Sequence, residues 1–166
     1  MRELERRIEE VEAELERVGR EDPVIRALLQ IPGIGVLTAT ALYASVGDIH
    51  AFKSGRHLAS WLGLTPRESS SGERRRLGGI TKQGDPYLRT LLIHGARSAL
   101  LAAERARRAD RKLTHLQAWA LERAGEGHTN RAVVALANKL ARIAWAVWRH
   151  ERKFDGDHAL QLAAAA

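Results

Sequence analysis

The feature that most limits the fold of this sequence is the recurrence of apolar residues at steps of three and four. The longest series are Leu88, Leu91, Leu92, Gly95 and Ala99, and Val133, Leu136, Leu140, Ile143 and Val147. Such spacing places each series on one face of an α-helix. No stretch alternates apolar and polar residues in the way that indicates a β-strand, and no internal repeat is found. The sequence therefore predicts an all-α fold.

Helix starts are marked most clearly by two Asp-Pro pairs, Asp22-Pro23 and Asp85-Pro86. An aspartate side chain can accept the free N–H groups of a first helical turn, and proline fits the first helical position. Other predicted boundaries are a cap at Ser54 with a stop at Gly63, a helix from about Arg111 to Arg123, and a cap at Thr129 or Asn130 for a last helix to about His150.

Residues 1–22 predict a short coiled-coil helix ahead of the main domain. Its apolar residues alternate steps of four and three, the spacing of a seam that faces a partner helix: Leu4, Ile8, Val11, Leu15 and Val18. So short a segment is marginal alone, so we expect either a dimer contact or the stub of a longer coiled coil. Residues 23–153 are predicted to form one helical domain, and residues 154–166 a frayed tail.

Charge and composition narrow the class of protein. The chain has 166 residues and no cysteine, which excludes disulfides and thiolate metal sites and fits a reducing compartment. Residues 1–22 hold five arginines and nine acids, so the remainder carries 22 basic and 11 acidic residues. An excess of +11 attracts polyanions, of which nucleic acid is the commonest, although a solvated basic surface has the same composition. No apolar run is long enough for a membrane span, and the histidines lack metal-ligand spacing.

A turn inside residues 28–46 is similar to a helix-hairpin-helix motif. It contains Pro32, Gly33, Ile34 and Gly35 between two apolar helical segments. Glycines let a backbone approach a phosphate closely, and the N–H groups at the start of the second helix then bind the anion. We predict that these four residues contact the DNA backbone. The alternative is a tight turn between two core helices.

Residues 64–84 lack a helical pattern and are predicted to form a mobile loop rich in serine and arginine. Ser69, Ser70 and Ser71 precede Arg74, Arg75 and Arg76, and Lys82 and Arg89 follow. Guanidinium groups can grip a phosphodiester and offset the charge that develops when a serine hydroxyl attacks phosphorus. From chemistry alone, a basic loop that only touches phosphates explains these residues equally well.

Four stretches in order carry a family resemblance. They are Ile31 to Ala41, Phe52 to Pro66, Ser70 to Leu92 with its Gly-Gly-Ile-Thr-Lys-Gln-Gly-Asp core, and Asn130 to Trp148. Residues from about 27 to 150 resemble the C-terminal domain of transposases of the insertion-sequence family numbered 110, also called IS116/IS110/IS902, particularly its subgroup numbered 1111.

The resemblance implies DNA transposition with a serine nucleophile, Ser70 by its place two residues before a glycine, with Ser71 the runner-up. It also implies a structured guide RNA and a bacterial, cytoplasmic, nucleoid-associated protein. In the family, magnesium is held by four acids of an N-terminal ribonuclease-H-like domain. No such acids precede the coiled coil here, so we expect no metal or other cofactor in this chain, and we expect it to bind DNA without completing strand exchange alone.

Three hypotheses follow. The first is a serine-type recombinase domain, whether a truncation, a fragment or one part of a split transposase. The second is a non-enzymatic DNA- or RNA-binding module that uses the hairpin turn and the basic loop. The third is an assembly fragment that forms homo-oligomers, or joins a full-length transposase, through the coiled coil. Binding to DNA, a covalent DNA adduct and the oligomeric state separate the three.

Overall fold

Seven helices and one two-stranded hairpin make up the fold in the computed structural model, which describes residues 2–69, 77–125 and 127–157. In chain order the elements are α1 (Arg2–Glu21), α2 (Pro23–Leu28), α3 (Val36–Val46), a 3₁₀ turn (Ile49–Ala51), α4 (Gly55–Trp61), β1 (Pro66–Glu68), β2 (Leu77–Ile80), α5 (Pro86–Arg108), α6 (His115–Gly125) and α7 (Thr129–Arg149). The predicted all-α class is confirmed.

Helix α7 is the element around which the others pack. It contacts α2, α4, α5, α6 and the 3₁₀ turn. Most of its residues from Ala132 to Val147 are buried, because apolar side chains cover nearly the whole circumference of the helix. Even Trp145 is buried, where its indole N–H donates to the carbonyl of Phe52 at 3.1 Å. The few polar side chains of α7 therefore stand out from an apolar background.

The three acidic or serine caps predicted from the sequence are confirmed. The Asp22 carboxylate accepts the N–H groups of Val24 and Ile25, and that of Asp85 accepts those of Tyr87 and Leu88. The Ser54 hydroxyl accepts the N–H of His57 at 3.2 Å. Each bond satisfies an N–H that the helix itself leaves free, which fixes where α2, α4 and α5 begin.

Two other helix starts were predicted wrongly. Helix α6 begins at His115 rather than near Arg111, because Thr114 and Gln117 form a reciprocal capping box: Gln117 N–H donates to the Thr114 hydroxyl at 3.3 Å and Thr114 N–H to the Gln117 amide oxygen at 3.0 Å. Helix α7 is preceded by His128, whose side chain makes no capping hydrogen bond, so Thr129 and Asn130 lie in the first turn instead of capping it.

The segment 64–84 was predicted to lack regular structure, and its described parts instead form a small hairpin. Strands β1 and β2 are antiparallel, with Pro66 opposite Ile80 and Glu68 opposite Leu77. Thr81 N–H continues the pairing to Thr65 at 2.9 Å. Strands of three and four residues are too short to show an alternating pattern in the sequence. Residues 70–76, which connect them, lie outside the described residues.

The two ends of the chain behave differently from the main domain. Helix α1 is held by exposed ion pairs such as Arg17–Glu21 at 2.9 Å, while Leu4, Ile8 and Val11 are exposed. The helix is confirmed, and its coiled-coil partner stays a prediction. The tail was predicted to fray from residue 154, but residues 154–157 pack: Phe154 lies against the core, and the Gly156 carbonyl accepts the N–H of Leu116 at 3.3 Å. Residues 158–166 lie outside the described residues.

The turn between α2 and α3 is pressed against the middle of α5. A Cβ added to Gly33 would overlap the carbonyl oxygen of Gly95, and one added to Gly95 would overlap the carbonyl oxygen of Gly33. Gly33 also has a φ of +87°, which side chains rarely adopt. The two backbones can meet only because neither residue carries a side chain, and this contact fixes α3 relative to α5.

Candidate nucleic-acid interface

An open cleft of about 1120 Å³ runs between the hairpin and the helices α6 and α7. Its walls carry six cations: Arg67 and Lys82 from the hairpin side, Arg123 from α6, and Arg131, Lys139 and Arg142 from α7. The other lining residues are Leu64, Pro66, Gly78, Gly79, Ile80, Trp119, Asn130, Val134, Ala135 and Asn138. No acid is among these residues, so the cleft attracts anions.

Hydrogen bonds from the helices α7 and α5 hold the two ends of the hairpin and so define the shape of the cleft. The Asn138 amide donates to the carbonyl of Leu64 at 3.0 Å, which ties the foot of β1 to α7. On the other side, the Arg89 guanidinium donates to the Leu62 carbonyl at 3.3 Å and, at 3.5 Å, to that of Gly84. Lys82 N–H donates to the Gly63 carbonyl at 3.1 Å and closes the base of the hairpin.

The most buried cation of the cleft is Lys139. Its side chain lies on a core helix, so the residue is only 8% exposed, and its ammonium sits over the ring of Trp119 at 4.2 Å from the centroid. A cation over an indole face is attracted by the π electrons, which partly replaces lost hydration. Burial first, and then the charges of Arg142 and Arg123, lower the pKa of Lys139 from 10.5 to about 8.

Arg142 lies one helical turn further along α7 and shares this environment. Burial, and to a lesser extent the positive charge of Arg56, lowers the pKa of its guanidinium. Its Nε atom is buried and has no hydrogen-bond partner among the described residues. Buried N–H groups are nearly always paired, so this donor is an exception that calls for an explanation.

Replacing Lys139 by methionine is expected to raise the free energy of unfolding of the free protein by about 1–3 kcal/mol at neutral pH, because the volume is kept and a buried charge beside two arginines is removed. The sign follows from the lowered pKa: wild-type stability rises with pH between about 8 and 10.5, where the unfolded lysine is charged and the folded one neutral. Denaturant titrations at neutral pH should show a larger free energy of unfolding for the methionine variant than for the wild type. Titrations above this pH window should show that the difference is lost. Equal stability at neutral pH would contradict the prediction.

The structure separates the residues that the sequence proposed as contacts to DNA. Lys82 lines the cleft, with a positive φ of 57° that is uncommon for a residue with a side chain. Arg89 is instead engaged with backbone carbonyls. Ser70, Ser71, Arg74, Arg75 and Arg76 lie outside the described residues, in the connection between β1 and β2. Ser69 follows the last residue of β1 and is exposed.

The turn of residues 31–35 does not line the cleft. Gly33 faces α5, and Ile34 is buried at 3% exposure. Pro32 and Gly35 are exposed, and open space surrounds the position where a Gly35 Cβ would lie, at the N-terminus of α3. Gly33 and Ile34 therefore pack as residues of a tight turn, whereas Gly35 is exposed to solvent and its contact with DNA stays a prediction.

The cleft residues of α7 were missed in the sequence, although a signal for them exists. Arg131, Asn138 and Arg142 follow each other at steps of seven and four, which is one helical face, and Lys139 interrupts an apolar run. A lysine among buried positions of a core helix is uncommon and needs a reason.

Two classes of site find no support in the described ranges. No cluster of histidine and carboxylate side chains there has the composition of a metal site. Nor does any helix there have the length and apolar character that a membrane crossing requires. The basic cleft is thus the main candidate surface.

Comparison with known proteins bears on this surface. A family model described as "Transposase IS116/IS110/IS902 family" matches residues 25–112, which include the 31–35 turn, the hairpin and α5. A probable family 20 transposase of Pseudomonas aeruginosa is 45% identical over 89% of this chain and 42% of its own length. The transposase for insertion sequence element IS1111A of Coxiella burnetii is 45% identical over 89% of the chain and 39% of its own length. A pilin gene-inverting protein of Moraxella bovis is 32% identical over 77% of the chain and 38% of its own length. The chain spans about two fifths of the length of these relatives.

Proposed function

The chain belongs to the IS116/IS110/IS902 family of transposases, and from that premise we propose that it is a DNA-binding recombinase domain that presents a serine nucleophile to a bound strand. The cleft would hold the sugar-phosphate backbone, and the connection between β1 and β2 would bring the serine to it. The observation that supports this proposal most directly is the basic cleft itself. One of its walls is the hairpin, and Ser70 lies in the sequence between the two strands of that hairpin.

Backbone contact rather than base recognition fits the chemistry of the cleft. Its charged groups are arginine and lysine, which bind phosphate oxygens irrespective of sequence. The hairpin wall also exposes Gly78 and Gly79, where no side chain separates the backbone from a ligand. A strand can therefore lie close against β2, with cations on the facing wall of α7.

The proposed reaction step is attack of a serine hydroxyl oxygen on a phosphodiester phosphorus. A bond forms between that oxygen and phosphorus, and one of the two ester bonds of the strand breaks. The DNA oxygen that leaves keeps the electron pair and takes up a proton, while the hydroxyl proton of the serine is lost to a base. Cations near the phosphate, including Lys82 and the proposed Arg74, Arg75 and Arg76, would stabilise the additional negative charge in the transition state.

A second contact to DNA is proposed at the start of α3. The exposed Gly35 precedes the free N–H groups of that helix, and a helix N-terminus favours an anion. This part of the helix-hairpin-helix hypothesis concerns Gly35 and Pro32, because Gly33 and Ile34 are occupied in packing. The contact would add affinity without reading sequence.

Assembly and RNA binding extend the proposal to partners. The exposed Leu4, Ile8 and Val11 of α1 support self-association or association with a full-length transposase through a coiled coil. A structured guide RNA is proposed from the family resemblance alone. The same basic cleft supports a non-enzymatic nucleic-acid-binding module as the second candidate function, which differs from the first only in lacking the covalent step.

The affinity of the protein for duplex DNA is expected to fall steeply as the salt concentration rises. The slope of the logarithm of the binding constant against the logarithm of salt concentration should be smaller in magnitude by about 1 in each of the single variants Lys82→Gln and Arg131→Gln. Both side chains are exposed on the cleft walls, so neither change should unfold the protein. Fluorescence anisotropy with a labelled duplex at several salt concentrations measures the slope.

The matched control is Arg108→Gln, which removes an exposed arginine at the end of α5, outside the cleft. An equal loss of slope in the control would mean that the basic surface binds DNA diffusely and that the cleft is not the interface. Salt-independent binding, or none, would refute the proposed DNA-binding function itself.

A further inference from the structure

We propose that Lys139 and Arg142, the two least exposed cations of the cleft, form a subsite for a single phosphate group, and that the lysine takes up a proton when the phosphate binds. This inference deepens the proposed function, since the phosphate is expected to come from a nucleic-acid strand, although a free phosphate ester would offer the same oxygens and charge. The site is defined by side chains that nothing else in the described structure explains.

Two donors without partners converge on this part of the cleft. Lys139 is 8% exposed, and among the described residues it forms no hydrogen bond or ion pair, only the contact of its ammonium with Trp119. The Nε of Arg142 is buried and also unpaired there. A buried donor left unsatisfied, such as the Arg142 Nε, destabilises the free protein, and its position beside Lys139 on a core helix supports a ligand that accepts from both side chains.

The ligand must be an anion with several acceptor oxygens. Among the described residues, every charged group that lines the cleft or shifts the pKa of Lys139 or Arg142 is a cation: Arg123 from α6, Arg56 from α4, Arg131 from α7, and Arg67 and Lys82 from the hairpin side. Trp119 and Asn138, which also line the cleft, are neutral, and the Asn138 amide already donates to Leu64. A phosphate has the charge and the oxygens to accept from both an ammonium and a guanidinium.

Binding at this subsite has a definite pH dependence. Burial and the two neighbouring arginines hold the pKa of the free lysine at about 8, and a bound anion raises it, because the negative charge favours the protonated form. Affinity is therefore full below about pH 8 and falls by up to about tenfold per unit of pH above it, until the pKa of the complex is reached. A surface lysine titrates too high to produce this window.

The first experiment is isothermal titration calorimetry of wild-type protein with a DNA duplex at about pH 8.5, in two buffers with different heats of ionisation. We expect uptake of a sizeable fraction of a proton per bound duplex. Lys139→Arg should abolish the uptake and keep affinity within a few-fold, because arginine stays charged. Lys139→Met should abolish the uptake and weaken binding at least about tenfold. Lys112→Arg, which changes an exposed lysine outside the cleft, should leave the uptake unchanged.

Tight DNA binding without proton uptake, or uptake that persists in Lys139→Arg, would overturn the inference while leaving the proposed function intact. The second arm uses inorganic phosphate and follows the Lys139 side-chain resonance by NMR as pH rises. If DNA does not bind but phosphate raises the pH at which Lys139 titrates, the subsite stands, its ligand is a free phosphate, and the proposed function fails. If neither DNA nor phosphate shifts that titration, the inference is wrong.

Discussion

Alanine at Gly95 is expected to cost at least about 3 kcal/mol of the free energy of unfolding, and alanine at Gly33 a similar amount. The added methyl of Gly95→Ala would overlap the Gly33 carbonyl oxygen, which is backbone and cannot rotate away. Gly33→Ala would overlap the Gly95 carbonyl and also force a side chain onto a residue with φ of +87°. Relief requires the 31–35 turn to move off α5, which opens the core around Ile31 and Ile34.

Chemical denaturation followed by far-ultraviolet circular dichroism measures both effects, and Gly35→Ala is the matched control. Gly35 lies two residues along the same turn, has a negative φ, and would place its methyl in open space. Its cost is expected to stay below about 1 kcal/mol, the ordinary loss at a helix N-cap. If Gly35→Ala destabilised as strongly as Gly95→Ala, the packing explanation of the turn would be wrong.

These glycine variants also bear on how a Pro-Gly turn between helices should be interpreted. The sequence alone allowed both a phosphate contact and a tight turn between core helices, because glycine serves either purpose. The structure assigns packing to Gly33, since its neighbour is a helix backbone. The phosphate hypothesis then depends on Gly35 and Pro32, and a Gly35 variant can test it without the loss of stability expected at Gly33.

Much of the fold could be predicted because its determinants are local. The caps at Asp22, Ser54 and Asp85 act on N–H groups two or three residues away, so the sequence contains both partners. The capping box between Thr114 and Gln117 is equally local, and it places the start of α6 later than Arg111, the start predicted from the sequence. The hairpin could not be predicted, since Thr65 and Thr81 are brought together by tertiary contacts such as that from Asn138 to Leu64.

The candidate site was predicted only in part, for a related reason. Lys82 was proposed from its place beside a serine- and arginine-rich segment, and it lines the cleft. Arg89 belonged to the same pattern, but its guanidinium binds carbonyls of the α4–hairpin and hairpin–α5 junctions. Lys139 and Arg142 come from a helix about sixty residues further on. Charge counts cannot distinguish such residues from solvated ones, because what sets them apart is burial.

Burial also links the stability of the domain to its proposed activity. Burial, and then the charges of Arg142 and Arg123, disfavour a charged Lys139 in the free protein and lower its pKa. The same charge strengthens binding once an anion is present. Lys139→Met should therefore move stability up and DNA affinity down, and opposite changes of this kind are typical of functional residues. If Lys139 had only a structural role, Lys139→Met would lower both the stability and the DNA affinity, or change neither.

Ser70→Ala is expected to reduce a covalent protein–DNA adduct by a factor on the order of a thousand or more, while changing DNA affinity less than about twofold. The reason is chemical: the hydroxyl oxygen forms the new bond to phosphorus, whereas the cations of the cleft supply most of the binding energy. A denaturing gel of labelled DNA incubated with the protein, with and without a full-length relative, detects the adduct. The relatives are longer than this 18.4 kDa chain, so adducts to the two proteins separate by size.

Ser69→Ala and Ser71→Ala are the matched controls, since each removes one hydroxyl from the same segment. Loss of the adduct in Ser71→Ala alone would place the nucleophile one residue further along, which the three adjacent serines allow. An adduct that survives each single change would refute the serine hypothesis at these positions. Wild-type protein that binds DNA with the expected salt dependence, yet forms no adduct even with the full-length relative, would favour the non-enzymatic binding module. The covalent step then separates the two candidate functions, because both share the cleft and its charges.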